Sequence, residues 1–272
     1  MAGGTALPID SIASAKLKLA RIAVHVDEIN QIIVKLAHSK DAYEILTDTN
    51  GKETIHFFVN APPEIPIIAG EIVYQFRSML DQFAFQLVKS NPSGMLLPKD
   101  WGRICQFPVL LTIPATGNPP ILHTIPVPYE FFEERLPGIT RAAYAFIESL
   151  QPYRSGPGIH NILRIIGKLS NIDKHKHPYV LLPRMAVRHD VTYSDGMRGT
   201  SVLGGLKHGA EVPLPEVPPR DSPMNVKRTF VPYITFDETI GAGPDTLGTD
   251  NLLKVCLEQF ETVIIPAFEK LI

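Results

Sequence analysis

Between Gly158 and His177, apolar residues recur at Ile162, Ile165, Ile166, Leu169 and Ile172, the spacing of a helix with one face turned inward. At about 100° per residue, Arg164, Lys168, Asn171 and His175 line one flank, whereas Asp173 falls in line with Leu169 and Ile166. A carboxylate on a core-facing stripe is costly unless a partner meets it. The stretch therefore calls for packed helices with a polar site between them, in which a residue of another helix, Arg77 best of all, reaches Asp173.

The rest of the chain supplies such helices. Leu19, Ile22, Val26, Ile29, Ile33 and Leu36 predict a long first helix capped by Asp10 or Ser11 and ending near Ser39. Ile68, Ile72, Phe76, Leu80, Phe83 and Leu87 predict a second, ending near Asn91, with Arg77 and Asp81 one turn apart beside that stripe. Between the two, Asn50-Gly51 is a hairpin turn joining strands near 42–59. The stretch from Asn91 to Pro128 has no helical period and reads as an irregular excursion tied down by Trp101 and Phe107. Shorter helices follow from Tyr129 and Thr140, the latter ending before Pro152. Beyond Pro178, alternation from Met185 to Tyr193 predicts a strand turned by Ser194-Asp195-Gly196. The Gly-rich run to Gly209 and the Pro-rich run from Pro213 read as loops, with a further strand over Phe230 to Phe236. A last helix is expected from an Asp250 cap, reset by Pro266.

At 272 residues, 44% hydrophobic and 20% charged, the chain is long enough for a large buried core. Its 26 Lys and Arg against 28 Asp and Glu give no global basic field for nucleic acid. The opening residues have neither the basic nor the apolar region of a signal peptide, and no apolar run approaches a membrane span of about 20 residues, so a cytoplasmic protein without a membrane partner is expected. Cys105 and Cys256 are too few for a disulfide framework and sit among apolar neighbours, so both are expected to be free and buried.

Two motifs, Arg77-Ser78-Met79-Leu80-Asp81 and Asn171-Ile172-Asp173-Lys174-His175, resemble those of a widespread bacterial family of no assigned activity. That resemblance extends to Gly70-Glu71, Phe107-Pro108, Gln151-Pro152-Tyr153 and Gly209-Ala210-Glu211. Members often have His directly after the Asp, where this chain has Gln82. Helices carrying an Arg followed by His are also similar to the HEPN superfamily, helical bundles that include metal-independent ribonucleases of toxin and defence systems. In that likeness Gln82 replaces the imidazole that would serve as acid or base.

Three readings of the site remain open. In the first, Arg77, Asp81, Asn171, Asp173 and His175 are a satisfied polar network that locks helices together. Alternatively, Arg77, Lys168, Lys174 and Lys176, with His175, bind a phosphate-bearing ligand, with or without cleavage by that polar set. Or Asp81, Asp173, His175 and His177 hold a divalent ion; no two histidines stand four apart, and no metal or cofactor is assigned. The expected architecture is a single α+β domain over 1–272: a bundle of about four or five helices with a small antiparallel sheet from the hairpin and later strands, the latter in an insertion near 179–240. The expected function is that of a bacterial bundle protein with a polar inter-helix site, HEPN-like and RNA- or defence-related. A non-enzymatic interaction protein and a divalent-metal hydrolase are the alternatives. RNA or another phosphate-bearing ligand, and a second copy of the chain, are the partners considered.

Overall fold

Apolar residues at three- and four-residue steps coil into α1 (Ser11–Ala37), in which Leu19, Ile22, Val26, Ile29 and Ile33 are all buried. The computed structural model describes residues 11–37, 39, 43–50, 53–57, 60–90, 99, 105–110, 127, 129–154, 159–175, 181–192, 198–207, 211–213, 225–236 and 248–272. Trp101, the Ser194-Asp195-Gly196 turn and Pro178 lie outside them. Two compact units are present: Met1–His25, Ala69–His177 and Leu253–Ile272 form the first, Val26–Ile68 and Pro178–Leu252 the second. The fold is α+β, with helices and small antiparallel sheets.

The first unit is helical. It holds most of α2 (Glu64–Ser90), then α3 (Tyr129–Glu133), α4 (Arg141–Ser149) and α5 (Ile159–His175). Thr140 caps α4, its hydroxyl accepting the Ala143 N–H at 3.0 Å. Further on, α6 (Thr249–Gln259) passes through a π-type segment, Phe260–Ile264, into α7 (Ile265–Glu269). The expected Asp250 cap is corrected here: the helix already begins at Thr249. The wide turn has a local cause. Ile265 N–H reaches back five residues to the Phe260 carbonyl, and Pro266 has no N–H with which to continue an α ladder. Aromatic rings fill the centre of the unit. Phe83 stacks on Phe268 at 4.4 Å, Phe76 meets Phe260 at 4.6 Å, and Phe107 and Phe146 approach Phe268 edge-on. Burying each such ring contributes about 2 to 3 kcal/mol.

Among the described residues the second unit carries two sheets. In one, β1 (Tyr43–Thr47) pairs with β2 (Glu53–Phe57), Thr47 opposite Glu53. The Asn50 N–H donates to Asp48 Oδ1 at 2.8 Å in the turn between them. In the other, β3 (Leu181–Thr192) is the central strand, flanked by β4 (Arg198–Lys207) and by β6 (Asn225–Phe236). Between these in sequence, β5 (Glu211–Pro213) adds to the free edge of β2. Val187 and Ile234 are fully buried while Arg188 is exposed, as alternation requires.

The expectation of a loop through the Gly-rich run is overturned, because β4 runs through it. Register explains the glycines. Met185 pairs with Leu206 but Val187 with Leu203, so β4 has one residue more than β3 across this step, at Gly204-Gly205. An extra residue in one strand is a β-bulge, which glycine accommodates cheaply.

Candidate functional site

The four-residue step from Arg77 to Asp81 places both side chains on one face of α2. They are paired there: Arg77 Nη2 lies 3.0 Å from Asp81 Oδ1, and Nε donates to Oδ2 at 3.3 Å. The pair also grips a peptide of the irregular segment 105–110. Arg77 Nη2 donates to the Phe107 carbonyl at 2.7 Å, while the Phe107 N–H donates to Asp81 Oδ1 at 2.9 Å. One backbone unit, outside any helix or strand, thus has both its polar groups met by an ion pair. The two side chains are only 15% and 31% exposed, so these charge-assisted bonds are sheltered from water.

Gln151 secures the same segment from the end of α4. Its Oε1 accepts the Leu110 N–H at 2.9 Å, and its Nε2 donates to the carbonyls of Pro108 at 3.0 Å and Ile147 at 2.9 Å. The amide is fully buried, so each of these bonds avoids an orphaned group. Beside it, Glu148 is buried and accepts from Tyr153 Oη at 2.6 Å and from Arg154 Nε and Nη2 at 2.8 and 2.5 Å. Burial, then the bond to Glu148, pushes the Tyr153 hydroxyl well above its ordinary pKa. Gly167 of α5 completes the seat: a Cβ there would lie 2.9 Å from Val109 Cγ1, so any other residue would have to push Val109 aside.

Two cavities open beside the Arg77 side chain. One, of about 360 Å³, is lined by Arg77, Arg135, Ser170, Asn171 and residues 106–110. Arg135 is held over the Phe131 ring, its guanidinium carbon 4.2 Å from the centroid. The other, of about 430 Å³, is lined by Arg77, Asp81 and Cys105 together with Ser11, Ser14, Tyr74, Ser78, Gln82, Phe85 and Gln86. Burial, aided by the Asp81 charge, pushes the Cys105 thiol up to about 12. A thiol that weak in acidity has almost no thiolate near neutral pH, so it is no nucleophile there. Both cysteines are free and buried.

Of the residues expected at the site, Arg77 and Asp81 meet directly, and Arg77 and Asn171 line one cavity. Lys168 is half-exposed on α5 and does not line that cavity. The helix continues through Asp173, Lys174 and His175, but their side chains, like Lys176 and His177 entirely, lie outside the described residues. Arg77 engages Asp81 and the Phe107 peptide; its expected bond to Asp173 falls outside what is described. Among the described residues no group of three His, Cys, Asp or Glu side chains is placed to hold a metal ion. Nor is any helix among them long and apolar enough to cross a membrane.

Comparison of the chain with protein-family models, curated proteins and solved structures finds no significant match. The motif likeness therefore stands on its residues alone. Sequence reasoning missed Arg135, Ser170 and Gly167. Phe107, expected to tie down the excursion, is itself the residue gripped, and Gln151 of the Gln151-Pro152-Tyr153 motif, for which the sequence offered no role, is part of the clamp.

Proposed function

We propose that this protein is a non-catalytic binding protein of the helical-bundle kind, whose Arg77–Asp81 pair is structural and whose adjoining cavity receives a phosphate-bearing ligand, single-stranded RNA among them. The observation that carries this reading is the grip on Phe107. A guanidinium and a carboxylate directed at each other and at the backbone N–H and carbonyl of one residue are ill placed to move protons on a substrate. The cavity that Arg77 shares with residues 106–110 offers Arg135, Asn171 and Ser170 as donors to an anion. The test is fluorescence anisotropy with a labelled single-stranded RNA over a range of salt concentrations, with gel analysis of the same RNA. Binding should weaken with salt, and Arg135→Ala should reduce the slope of log affinity against log salt by about 0.7. Intact RNA is expected throughout, whereas turnover by the unmodified protein would overturn the reading.

A second reading, a HEPN-like ribonuclease that has lost its histidine, is favoured by one observation: Gln82 lines the same cavity as Arg77. An imidazole at that position would stand beside the guanidinium, in the pairing of proton carrier and charge stabiliser that RNA cleavage needs. Gain of RNA cleavage or toxicity in Gln82→His would support it; absence of any gain would leave the binding-protein reading.

A further inference from the structure

The larger cavity, of about 430 Å³, differs in chemistry from its neighbour. Apart from Arg77 and Asp81, which face each other, the described groups that line it are uncharged. Its size is that of a small-molecule site. Ser78 and Gln82 stand one helical turn apart on its α2 wall, with Phe85 and Gln86 on the next turn.

Two of these groups have a defined hydrogen-bonding sense. Lys18 Nζ donates to Ser78 Oγ at 2.8 Å. A protonated amine has only hydrogens to offer, so the serine oxygen is the acceptor and its own hydrogen is left to donate elsewhere. Gln82 Oε1 is shielded from solvent and has no hydrogen-bond partner among the described residues. Its terminal amide torsion is broad, so turning the amide toward a ligand breaks no bond at that oxygen. A side-chain amide offers a donor and an acceptor side by side, the pattern complementary to the N6 amine and N7 of adenine. Phe85 adds an aromatic ring to the lining, the kind of side chain on which bases stack.

We propose that this cavity is a binding site for an adenine base, read by the Gln82 amide, with Ser78 donating to a further acceptor on the ligand and Phe85 stacking on the ring. A free nucleoside and a strand both present this base. This site is distinct from the anion cavity, and a neutral nucleoside probes it without engaging the phosphate donors.

The experiment is isothermal titration of the full chain with adenosine, then with uridine, and then with a short oligoadenylate strand, for the unmodified protein and for Gln82→Leu. Adenosine should bind and uridine should bind more weakly by about tenfold or more, the discrimination a good bidentate contact provides. Gln82→Leu should lose adenosine by a similar factor while its melting temperature stays level or rises, because an orphaned oxygen has been removed. If a strand is the physiological source, oligoadenylate should bind more tightly than adenosine with the same dependence on Gln82; if a free nucleoside is, the strand should bind without any dependence on Gln82. No adenosine binding by the unmodified protein, or equal binding by a folded Gln82→Leu, would overturn the proposal. So would strand binding that ignores Gln82 when adenosine does not bind, although the anion cavity would then keep its role.

Discussion

The clamped segment 105–110 and the central strand β3 solve the same problem by different means. Each is a stretch of chain outside any helix, whose peptide groups need partners. β3 finds them in two neighbouring ladders, with β6 opposite every residue from Leu181 to Thr192. Segment 105–110 has no ladder among the described residues and is held by side chains: Arg77 and Asp81 for Phe107, Gln151 for Pro108 and Leu110. The difference is one of redundancy. A ladder loses little when one side chain changes, because its bonds are backbone to backbone. In a clamp, a few named residues each carry several bonds, so a single substitution strips a whole stretch.

Four experiments break or sharpen that contrast. The largest effect is expected from alkali. Cys105, Cys256 and Tyr153 all belong to the helical unit, and burial raises the pKa of each, to about 12 for both thiols from an ordinary 9.0. The neutral form is the one the fold favours. The contribution is therefore complete below pH 9 and is lost as pH rises toward 12. Urea midpoints should fall over that window, and less steeply in Cys105→Ala/Cys256→Ala. An unchanged slope would detach the alkaline limb from these thiols.

Next comes the clamp itself. Asp81→Ala leaves Arg77 without its counter-charge and the Phe107 N–H without its acceptor, and should cost about 3 kcal/mol in denaturant unfolding. If Arg77→Met/Asp81→Ala together cost much less than the two single changes added, the pair acts as a unit. Gly167→Ala comes third, at about 1 to 2 kcal/mol, since its Cβ meets Val109. Val109→Ala should relieve most of that penalty, and failure to do so would show that the seat of the segment is set elsewhere. The smallest effect belongs to the sheet. Thr200→Val removes the 2.8 Å bond to Asp190 on an exposed face and should stay within about 0.5 kcal/mol. A loss comparable to that of Asp81→Ala would erase the contrast.

The helices were legible because burial repeats at their own period: every apolar residue that marked the α2 stripe, Ile68 through Leu87, is buried. The Arg77–Asp81 pairing was legible for the same reason, being four residues apart on one helix. Its target was not. Phe107 lies 26 positions from Asp81, and no periodicity links a helix to an irregular segment. Strand β4 was hidden by its glycines, which read as loop until a partner strand shows that two of them sit at a bulge. Arg135 and Ser170 belong to no repeating pattern, and only the folded chain brings them to one cavity with Arg77.

The π-type segment has a consequence for how this chain can vary. Cys256, Phe260, Ile264 and Phe268 advance four residues at a time and are all at 0% exposure. In an unbroken α-helix, four residues overshoot a full turn by about 40°, so three such steps would swing Phe268 about 120° from Cys256. The wide turn takes back part of that swing. Deleting one residue from Phe260–Ile264 would leave a sequence that still reads as a good amphipathic helix, yet would rotate Phe268 about 100° away from the ring of Phe83. Insertions and deletions in this last helix are therefore far more damaging than exchanges on its exposed side, and its length is as much a part of the core as its side chains.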